Sequence, residues 1–346
     1  MSSLSKARVA VVGGGALGMA TAAVLAAHGA SPLVIDPAQG ANASAVAAGM
    51  ISPGFEAALD GVTEDRAALY REAAMLWPAF DATYRLGLVR DGADWRGEPE
   101  PLATDLERLG FAFRRERGVI HLPDEARLDA RRALQRLNDV LADSGGRMVR
   151  ERATAVEVER DRPVLRVGDR SIAVDILVLA AGWSVGALLA PGLEGLLSLV
   201  TPVRGQLQVL EGTGVDAISR ITRTRGLYLT PVGDRLVVGA TMEPGRSDLQ
   251  PDPAATECLL RAAFELEPAL ADATIAATAV GIRGASPDGL PIAGATPVPG
   301  VFAALAPNRG GWLYAPMIGE AVAAAIAGKS PRRHPEAFRP DRFGPA

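Results

Sequence analysis

Short apolar runs alternate with alanine-rich and amphipathic stretches along the first half of the chain. Residues 8–12 form a β-rich run, residues 13–18 a glycine turn and residues 19–27 an alanine-dense helix. Residues 33–35 form a second buried strand that ends at Asp36. This order of elements predicts a βαβ unit at the start of the chain.

The next segments carry a helical period. Apolar residues recur at helical spacing between residues 64 and 88, namely at Leu69, Ala73, Leu76, Trp77, Phe80 and Tyr84. This spacing predicts an amphipathic helical segment whose aromatic residues pack in the core. Residues 91–118 are polar and interrupted by Gly and Pro, which favours a solvated linker with one short helix. A strand and turn over residues 118–123 and a helix over residues 128–141 are predicted to follow.

The second half of the chain is rich in strand patterns. Residues 153–167 alternate like a hairpin, and residues 176–182 read as a buried strand that leads into a glycine turn. Residues 201–245 are all β in character. Three strands are predicted there, over residues 205–210, 227–230 and 235–239.

The last elements return to an α/β pattern. A helix is predicted over residues 254–264, with Cys258 as a small core residue. A strand over residues 301–304 and a helix over residues 316–327 are expected near the end of the chain.

The order of elements predicts an α/β fold interrupted by a β-rich segment, so the domains are expected to be discontinuous. We assign residues 1–80, 119–198 and 276–346 to a Rossmann-like nucleotide-binding domain. Residues 81–118 and 199–275 are assigned to a smaller, β-rich substrate domain. A chain of 346 residues with 48% hydrophobic content is long enough for two cores without a metal or disulfide.

Composition excludes several function classes. A net charge of −4 argues against a nucleic-acid partner and against anionic membrane surfaces. Lys6 and Lys329 are the only lysines, and neither lies in a pattern typical of a catalytic amine. A single cysteine and three scattered histidines predict no disulfide and no metal site. Cysteine usage fits a reducing compartment, and we expect a cytoplasmic protein.

An uncharged run over residues 9–35 resembles a signal peptide or a membrane span. Its interior glycines would weaken a spanning helix, and turn residues end it at His28, Gly29 and Pro32. We therefore interpret the run as a strand, a turn, a helix and a strand of a water-soluble domain and expect no membrane span.

The glycine turn carries the main chemical motif. Gly13-x-Gly15-x-x-Gly18 follows a strand and opens a helix, and Asp36 ends the next strand. Such glycines let the backbone approach a pyrophosphate, and the acidic side chain can accept hydrogen bonds from a ribose. The motif predicts dinucleotide binding but does not distinguish NAD from FAD. The alternative is a tight alanine-rich turn that only packs.

Later segments closely resemble the flavoprotein amine and amino-acid oxidases of the D-amino-acid oxidase superfamily, and within it the glycine oxidases. The resemblance spans nearly the whole chain. It is carried by residues 44–50, 177–184, 202–206, 228–231, 238–241, 281–283, 288–291, 309–316 and 338–342. The family binds FAD, and no second glycine fingerprint for a nicotinamide cofactor is present.

The resemblance implies FAD contacts at Gly13, Gly15, Ala16, Leu17, Gly18, Asp36, Ser44, Ala45, Ala48, Gly49, Met50, Ala181, Gly182, Trp183, Gly310, Gly311, Trp312 and Leu313. It also implies that Arg283, Arg309 and Tyr228 hold the substrate carboxylate as the catalytic set. Arginine suits this task because its planar fork binds a carboxylate with two charge-assisted hydrogen bonds. The alternative is a surface role for each arginine and a packing role for the tyrosine.

Three departures from the family pattern leave the substrate open. Gly284 stands where the family commonly has proline. Around Arg309, the family's histidine, aromatic residue and asparagine are replaced by Pro307, Asn308 and Gly310. Residues 95–118 are also shorter than the corresponding family segment, which opens or reshapes one wall of the pocket. Trp312 and Tyr314 either fill that wall or pack in the core. The cysteine is remote from the flavin motifs, so FAD is expected to bind non-covalently.

The resemblance implies a hydride transfer from a small amino acid or amine, of the glycine, sarcosine or D-amino-acid type, to FAD. Reoxidation by O2 with release of H2O2 completes the expected reaction. Two alternatives remain: a dehydrogenase that uses a quinone or another acceptor, and a nucleotide-binding protein without redox turnover. The sequence leaves the exact substrate, the pathway and assembly as a homo-oligomer open.

Overall fold

The computed structural model describes residues 6–37, 42–329 and 335–344. His334 lies outside the described residues. The strands are β1 Val9–Val12, β2 Leu33–Ile35, β3 Met50–Ile51, β4 Ala93–Trp95, β5 Arg114–Glu116, β6 Val119–Leu122, β7 Ala126–Arg127, β8 Arg147–Val149, β9 Ala153–Glu159, β10 Arg162–Val167, β11 Arg170–Ala173, β12 Ile176–Leu179, β13 Thr201–Glu211, β14 Ile221–Arg223, β15 Tyr228–Val232, β16 Arg235–Gly239, β17 Glu243–Pro244, β18 Thr274–Ala285, β19 Ile292–Ala295 and β20 Val301–Leu305.

The helices are α1 Ala16–Ala27, α2 Ala43–Val46, α3 Pro53–Leu59, α4 Glu64–Met75, α5 Trp77–Tyr84, α6 Pro99–Leu109, α7 Ala130–Asp143, α8 Glu194–Ser198, α9 Pro253–Leu266, α10 Gly311–Ile326 and α11 Pro335–Phe338. Short 3₁₀ helices follow β12, β13, α9 and α11, and the one after β12 lies before α8.

Strands β19, β20, β12, β1, β2 and β8 pair in this order to form sheet A of the described chain. The pairs from β20 to β8 are parallel, and β19 adds an antiparallel edge. Helices α1 and α10 pack together on one face of this sheet, in a core that contains Leu25, Val34 and Ile318. The predicted βαβ unit is therefore confirmed, as is the α/β fold class.

A second, mixed sheet carries most of the β-rich segment. Sheet B runs β17, β13, β16, β15, β14, β4, β6 and β5, with β18 paired to the other edge of β13, within the described residues. Sheet B includes β6 and β18, although the predicted boundaries place residues 119–122 and 276–285 with the other domain. The domain boundaries remain a prediction. A division by sheet membership would assign both segments to the substrate domain.

The structure refines one helix prediction and corrects another. Residues 64–88 form two helices, α4 and α5, which meet at Leu76, and Arg85 ends the second with a left-handed φ of 57°. The final long helix begins at Gly311, not at residue 316, so Pro316 lies inside it. Gly310 is the N-cap, and Pro316 follows it by six residues, in the second turn of the helix.

Residues 91–118 are not mainly a solvated linker. They contribute β4 and β5 to sheet B, and α6 buries Leu102, Leu106 and Leu109 against the core. The mixed charges of α6 lie on its outer face, and the composition of the segment does not separate this face from the apolar face.

Cys258 is exposed on α9, so its prediction as a core residue is wrong. The helix buries Leu259 and Ala263, and the cysteine lies beside that face instead of on it. Within the described residues, no helix is both long and apolar enough to cross a membrane.

Candidate functional site

The carboxyl ends of the parallel strands of sheet A open onto a cavity of about 320 Å³, which we call the nucleotide cavity. The turns after β1, β2 and β12 and the turn between β20 and α10 line it. Ligands of open α/β sheets bind at this edge, because the loops there converge from several strands. The lining includes the predicted cofactor residues Gly13, Gly15, Ala16, Leu17, Asp36, Ser44, Ala181, Gly182, Trp183, Gly311 and Trp312.

The glycine turn after β1 has no room for side chains. Gly13 has a φ of +113°, and a Cβ atom there would lie 2.2 Å from the carbonyl oxygen of Ala180. A Cβ on Gly18 would lie 2.0 Å from the carbonyl oxygen of Gly13. Gly18 does not line the cavity; it lets α1 pack closely on the turn, which is the third role that the fingerprint assigns to glycine.

Two side chains hold the start of α1 in place. The backbone N–H of Gly14 donates a hydrogen bond to the Asp36 carboxylate, and the N–H of Ala16 donates to Ser44 Oγ at 2.9 Å. Asp36 and Ser44 both line the nucleotide cavity as well. Ala45, predicted as a cofactor residue, instead donates its N–H to Asn42 Oδ1 at 2.8 Å inside α2 and does not line the cavity.

The nucleotide cavity also has walls that sequence reasoning missed. Asn42, Arg152 and Leu249 line it, and each comes from a different part of the chain. Arg152 follows β8, the strand beside β2, so the topology of sheet A brings it to the same edge as Asp36. No sequence signal distinguishes this arginine from the many on the surface.

A second cavity, of about 370 Å³, adjoins the first, and we call it the arginine cavity. The two share Ala43, Ala47, Arg283, Arg309 and Trp312 as lining residues. Strands of sheet B form its far wall. The remaining predicted cofactor residues, Ala48, Gly49, Met50, Gly310 and Leu313, line this cavity.

Tyr228, Arg283 and Arg309, predicted from distant parts of the sequence, all line the arginine cavity. Two glycines make room for them: a Cβ on Gly205 would lie 2.5 Å from Arg283 Nη1, and one on Gly239 would lie 2.3 Å from the Tyr228 hydroxyl. Burial lowers the pKa of Arg283 and raises the pKa of Tyr228. The phenol therefore stays protonated near neutral pH and can donate a hydrogen bond.

Arg283 and Arg309 differ in their partners. Nη2 of Arg309 lies 2.7 Å from Glu56 Oε2 and also pairs with the Asp60 carboxylate. Arg283 has no carboxylate within ion-pair distance among the described residues; its hydrogen-bonding contact is Met242 Sδ at 3.9 Å. A substrate carboxylate therefore finds an uncommitted guanidinium at Arg283, while Arg309 is already engaged.

Glu56 is the acidic residue that sequence reasoning missed. It ion-pairs with Arg223 at 2.6 Å as well as with Arg309, and both Glu56 and Arg223 are buried. Burial by itself raises the pKa of Glu56, but the two arginines outweigh it and hold the pKa below the usual value. Glu56 was detectable, because it is the only charged residue between positions 37 and 59 of an otherwise apolar and small-residue stretch.

A second buried carboxylate supports the helix that carries Glu56. Glu125 Oε1 accepts hydrogen bonds from the N–H groups of Gly54 (2.8 Å) and Phe55 (3.3 Å), in the first turn of α3. Burial raises the pKa of Glu125 to about 7. Glu125 therefore fixes the start of α3, and α3 in turn directs Glu56 into the arginine cavity.

One departure from the family pattern, Gly284, has a structural explanation. A Cβ on Gly284 would lie 2.9 Å from Val200 Cγ1 and 3.0 Å from the backbone nitrogen of Trp183, so glycine permits close approach to the turn after β12. Asn308 donates its N–H to the Gly284 carbonyl at 2.9 Å, which places Arg309. Residues 95–118 line neither cavity, although the structure describes all of them.

Of the two aromatic residues considered for the pocket wall, Trp312 lines both cavities and Tyr314 lines neither. Tyr314 packs edge-to-face on Tyr70 and Phe338. It instead borders a third, polar cavity of about 600 Å³ on the far side of Arg309, with Asp60, Arg66 and Asn308.

The model of a protein family described as DAO, FAD dependent oxidoreductase, matches residues 8–325. A glycine oxidase from Pseudomonas putida is 29% identical over 367 residues, which covers 96% of this chain and 98% of that protein. A glycine oxidase from Pseudomonas aeruginosa is 36% identical over 190 residues, a match that spans 51% of this chain and 50% of the relative. A D-amino acid dehydrogenase from Xanthobacter autotrophicus is 26% identical and covers 94% of this chain and 96% of that protein.

Among solved structures, glycine oxidase from Geobacillus kaustophilus superimposes with a TM-score of 0.84 and 25% identity. The match covers 96% of this chain and 98% of that one.

Proposed function

Since the chain belongs to the family of FAD-dependent oxidoreductases, we propose that it oxidises the Cα–N bond of a small amino acid or amine, of the glycine, sarcosine or D-amino-acid type. The observation that carries the proposal is the position of Arg283. Its side chain is half-buried, has no carboxylate partner in the described part of the chain, and lines both cavities. A partly desolvated cation without a carboxylate partner is costly, and a substrate carboxylate would remove that cost.

The residues of the nucleotide cavity fit FAD. A turn too tight for a Cβ, a helix N-terminus and an acidic side chain at the edge of a parallel sheet form the site that a dinucleotide requires. Bound FAD supplies the two-electron acceptor of the reaction. The residues proposed to hold it are those that line the two cavities, and binding is proposed to be non-covalent.

Arg283 and Tyr228 are the proposed substrate ligands. The fork of Arg283 binds the two carboxylate oxygens, and the Tyr228 hydroxyl donates to one of them. The ion pairs of Arg309 with Glu56 and Asp60 hold it as a fixed wall beside the same space. With the acid end immobilised, the Cα–H bond of an amine that arrives deprotonated is presented in one orientation.

The overall change is a two-electron oxidation. The substrate loses one hydrogen from Cα and one from nitrogen, so that a C=N bond forms. Water then adds to the imine carbon, and the C–N bond breaks to give a keto or aldehyde acid and ammonia or an amine. Orientation and exclusion of water carry the rate, which explains why no paired general acid and base is needed.

We propose O2 as the final electron acceptor, with H2O2 as its product. The relative from Xanthobacter autotrophicus supports a second candidate, a dehydrogenase that passes electrons to a quinone or another acceptor. The yield of H2O2 in air, compared with the rate of anaerobic dye reduction, distinguishes them. An oxidase releases one H2O2 for each amine consumed, whereas a dehydrogenase reduces the dye and yields little peroxide.

Anaerobic mixing of the purified holoprotein with glycine, sarcosine and D-alanine tests the proposal. The visible absorbance of bound FAD is expected to disappear with at least one of them. Propionate, which has the carboxylate but no amine, is the control and leaves the absorbance in place. If dithionite bleaches the protein but no amine of the panel does, the proposed function is wrong.

A further inference from the structure

The arginine cavity holds more positive charge than one carboxylate can neutralise. Arg223, Arg225, Arg283 and Arg309 line it, whereas Glu56 is the one acidic residue among its described lining residues. A cavity for a substrate with a single carboxylate needs one uncommitted guanidinium. The number of arginines left without a partner therefore bears on the charge of the substrate.

Glu56 forms ion pairs with two of the four arginines. Its Oε1 lies 2.6 Å from Arg223 Nη1, and its Oε2 lies 2.7 Å from Arg309 Nη2. Asp60 adds a second carboxylate to Arg309. Because the two arginines also hold the pKa of Glu56 low, this carboxylate is ionised near neutral pH. Arg223 and Arg309 are thus satisfied without a ligand.

Arg283 and Arg225 remain. Arg283 is the proposed ligand of the α-carboxylate. Arg225 makes no hydrogen bond and no ion pair with any residue that the structure describes, yet its side chain lines the cavity. Two uncommitted cations in one cavity match a substrate that carries two anionic groups.

The backbone fixes the place of Arg225. It lies in the turn that joins β14 to β15, and a hydrogen bond from Thr224 N–H to the Leu227 carbonyl (2.9 Å) closes this turn. In the same hairpin, Arg223 of β14 lies opposite Tyr228 of β15 in the strand register. The hairpin therefore presents an exposed cation at the rim, a few residues from the tyrosine that we assign to the α-carboxylate.

We propose that Arg225 binds a second carboxylate, and that the preferred substrate is an amino acid or secondary amine with two carboxylates. This inference rests on the proposed function and names its substrate class. An exposed arginine–carboxylate contact changes affinity by up to about fivefold and weakens as salt is added.

The kinetic test compares iminodiacetate, a secondary amine with two carboxylates, with sarcosine, which has one. We expect a higher kcat/KM for iminodiacetate in the wild-type holoenzyme. In Arg225→Gln the ratio of the two kcat/KM values should fall about two- to fivefold. The matched control is Arg235→Gln on the same sheet, where the arginine pairs with Glu211 outside the cavity and the ratio should stay at the wild-type value. A wild-type preference for sarcosine, or an unchanged ratio in Arg225→Gln, overturns the inference.

A binding test separates this inference from the proposed function, because it needs no turnover. Glutarate and pentanoate have the same chain length and no amine, and their affinities for the holoprotein can be measured by calorimetry. Glutarate should bind more tightly than pentanoate, and in Arg225→Gln the affinity ratio of glutarate to pentanoate should fall about two- to fivefold. Equal binding of glutarate to wild type and variant overturns the role of Arg225, whichever amines the protein oxidises.

Discussion

Gly205 provides the sharpest single test of the substrate site, because its effect reaches the chemistry only through Arg283. Gly205 lies in the middle of β13, outside the positive-φ region, so alanine is acceptable to the backbone. A Cβ there would lie 2.5, 2.6 and 2.8 Å from Nη1, Nη2 and Cζ of Arg283. Carbon atoms do not approach this closely, so the guanidinium must move away while the strand stays.

The magnitude follows from the displacement. To reach an ordinary contact of about 3.5 Å, the guanidinium must move by about 1 Å, and a misplacement of this size at a reacting substrate costs up to about a hundredfold in rate. We therefore expect Gly205→Ala to lower kcat/KM for the amine substrate by about ten- to a hundredfold. FAD content and the free energy of unfolding should change little, because the end of a flexible side chain absorbs the clash.

Steady-state kinetics with the best amine of the panel measure the effect, and flavin absorbance per chain reports cofactor content. Gly186→Ala is the matched control, since a Cβ there meets no atom within 4 Å and its φ is also not positive. This control should behave like wild type. A kcat/KM within twofold of wild type for Gly205→Ala would refute the assignment of Arg283 as carboxylate ligand.

Three further predictions follow from the same geometry. Arg283→Ala should lower kcat/KM for an amino acid by at least a hundredfold, because losing one partner of a buried ion pair costs about 3–5 kcal/mol; Arg235→Ala is the control, and an almost unchanged value would reject the role. Gly13→Ala should strongly reduce the FAD content of the purified chain, because the new Cβ would lie 2.2 Å from a backbone oxygen at a φ of +113°; full FAD content would contradict the assigned turn. Glu125 has a folded pKa of about 7 against an ordinary value of 4.5, so the folded state binds its proton more tightly and stability falls as pH rises through this window. Between pH 4.5 and pH values above 7, this group should lower the free energy of unfolding of the wild type by about 3 kcal/mol, as measured with denaturant, and Glu125→Gln should not show this decrease. Equal pH slopes for variant and wild type would refute the prediction.

The nucleotide half of the site was predictable from the sequence because its signals are local. One βαβ unit contains Gly13, Gly15, Gly18 and Asp36. The pattern of this unit predicts both the fold and the edge of the sheet at which the nucleotide site lies. Resemblance to a family then supplied Arg283, Arg309 and Tyr228, which the structure brings to one cavity.

The partners of these residues were not predictable, because they depend on packing between distant segments. Glu56 and Arg223 lie 167 positions apart and pair only when α3 meets sheet B. The same limit explains the error at Cys258, since a rotation of α9 by one position decides whether a residue is buried. The buried face of α6 was missed because composition averages over both faces of a helix.

Anaerobic stopped-flow reduction by sarcosine and by sarcosinamide, in which an uncharged amide replaces the carboxylate, tests the central claim most directly. The claim is that Arg283 holds the substrate by its carboxylate. The amide lacks the charge of the carboxylate, while the protein is unchanged. Sarcosine should reduce the bound FAD at least a hundredfold faster than the amide at equal subsaturating concentration. Equal rates for the two compounds would contradict the account.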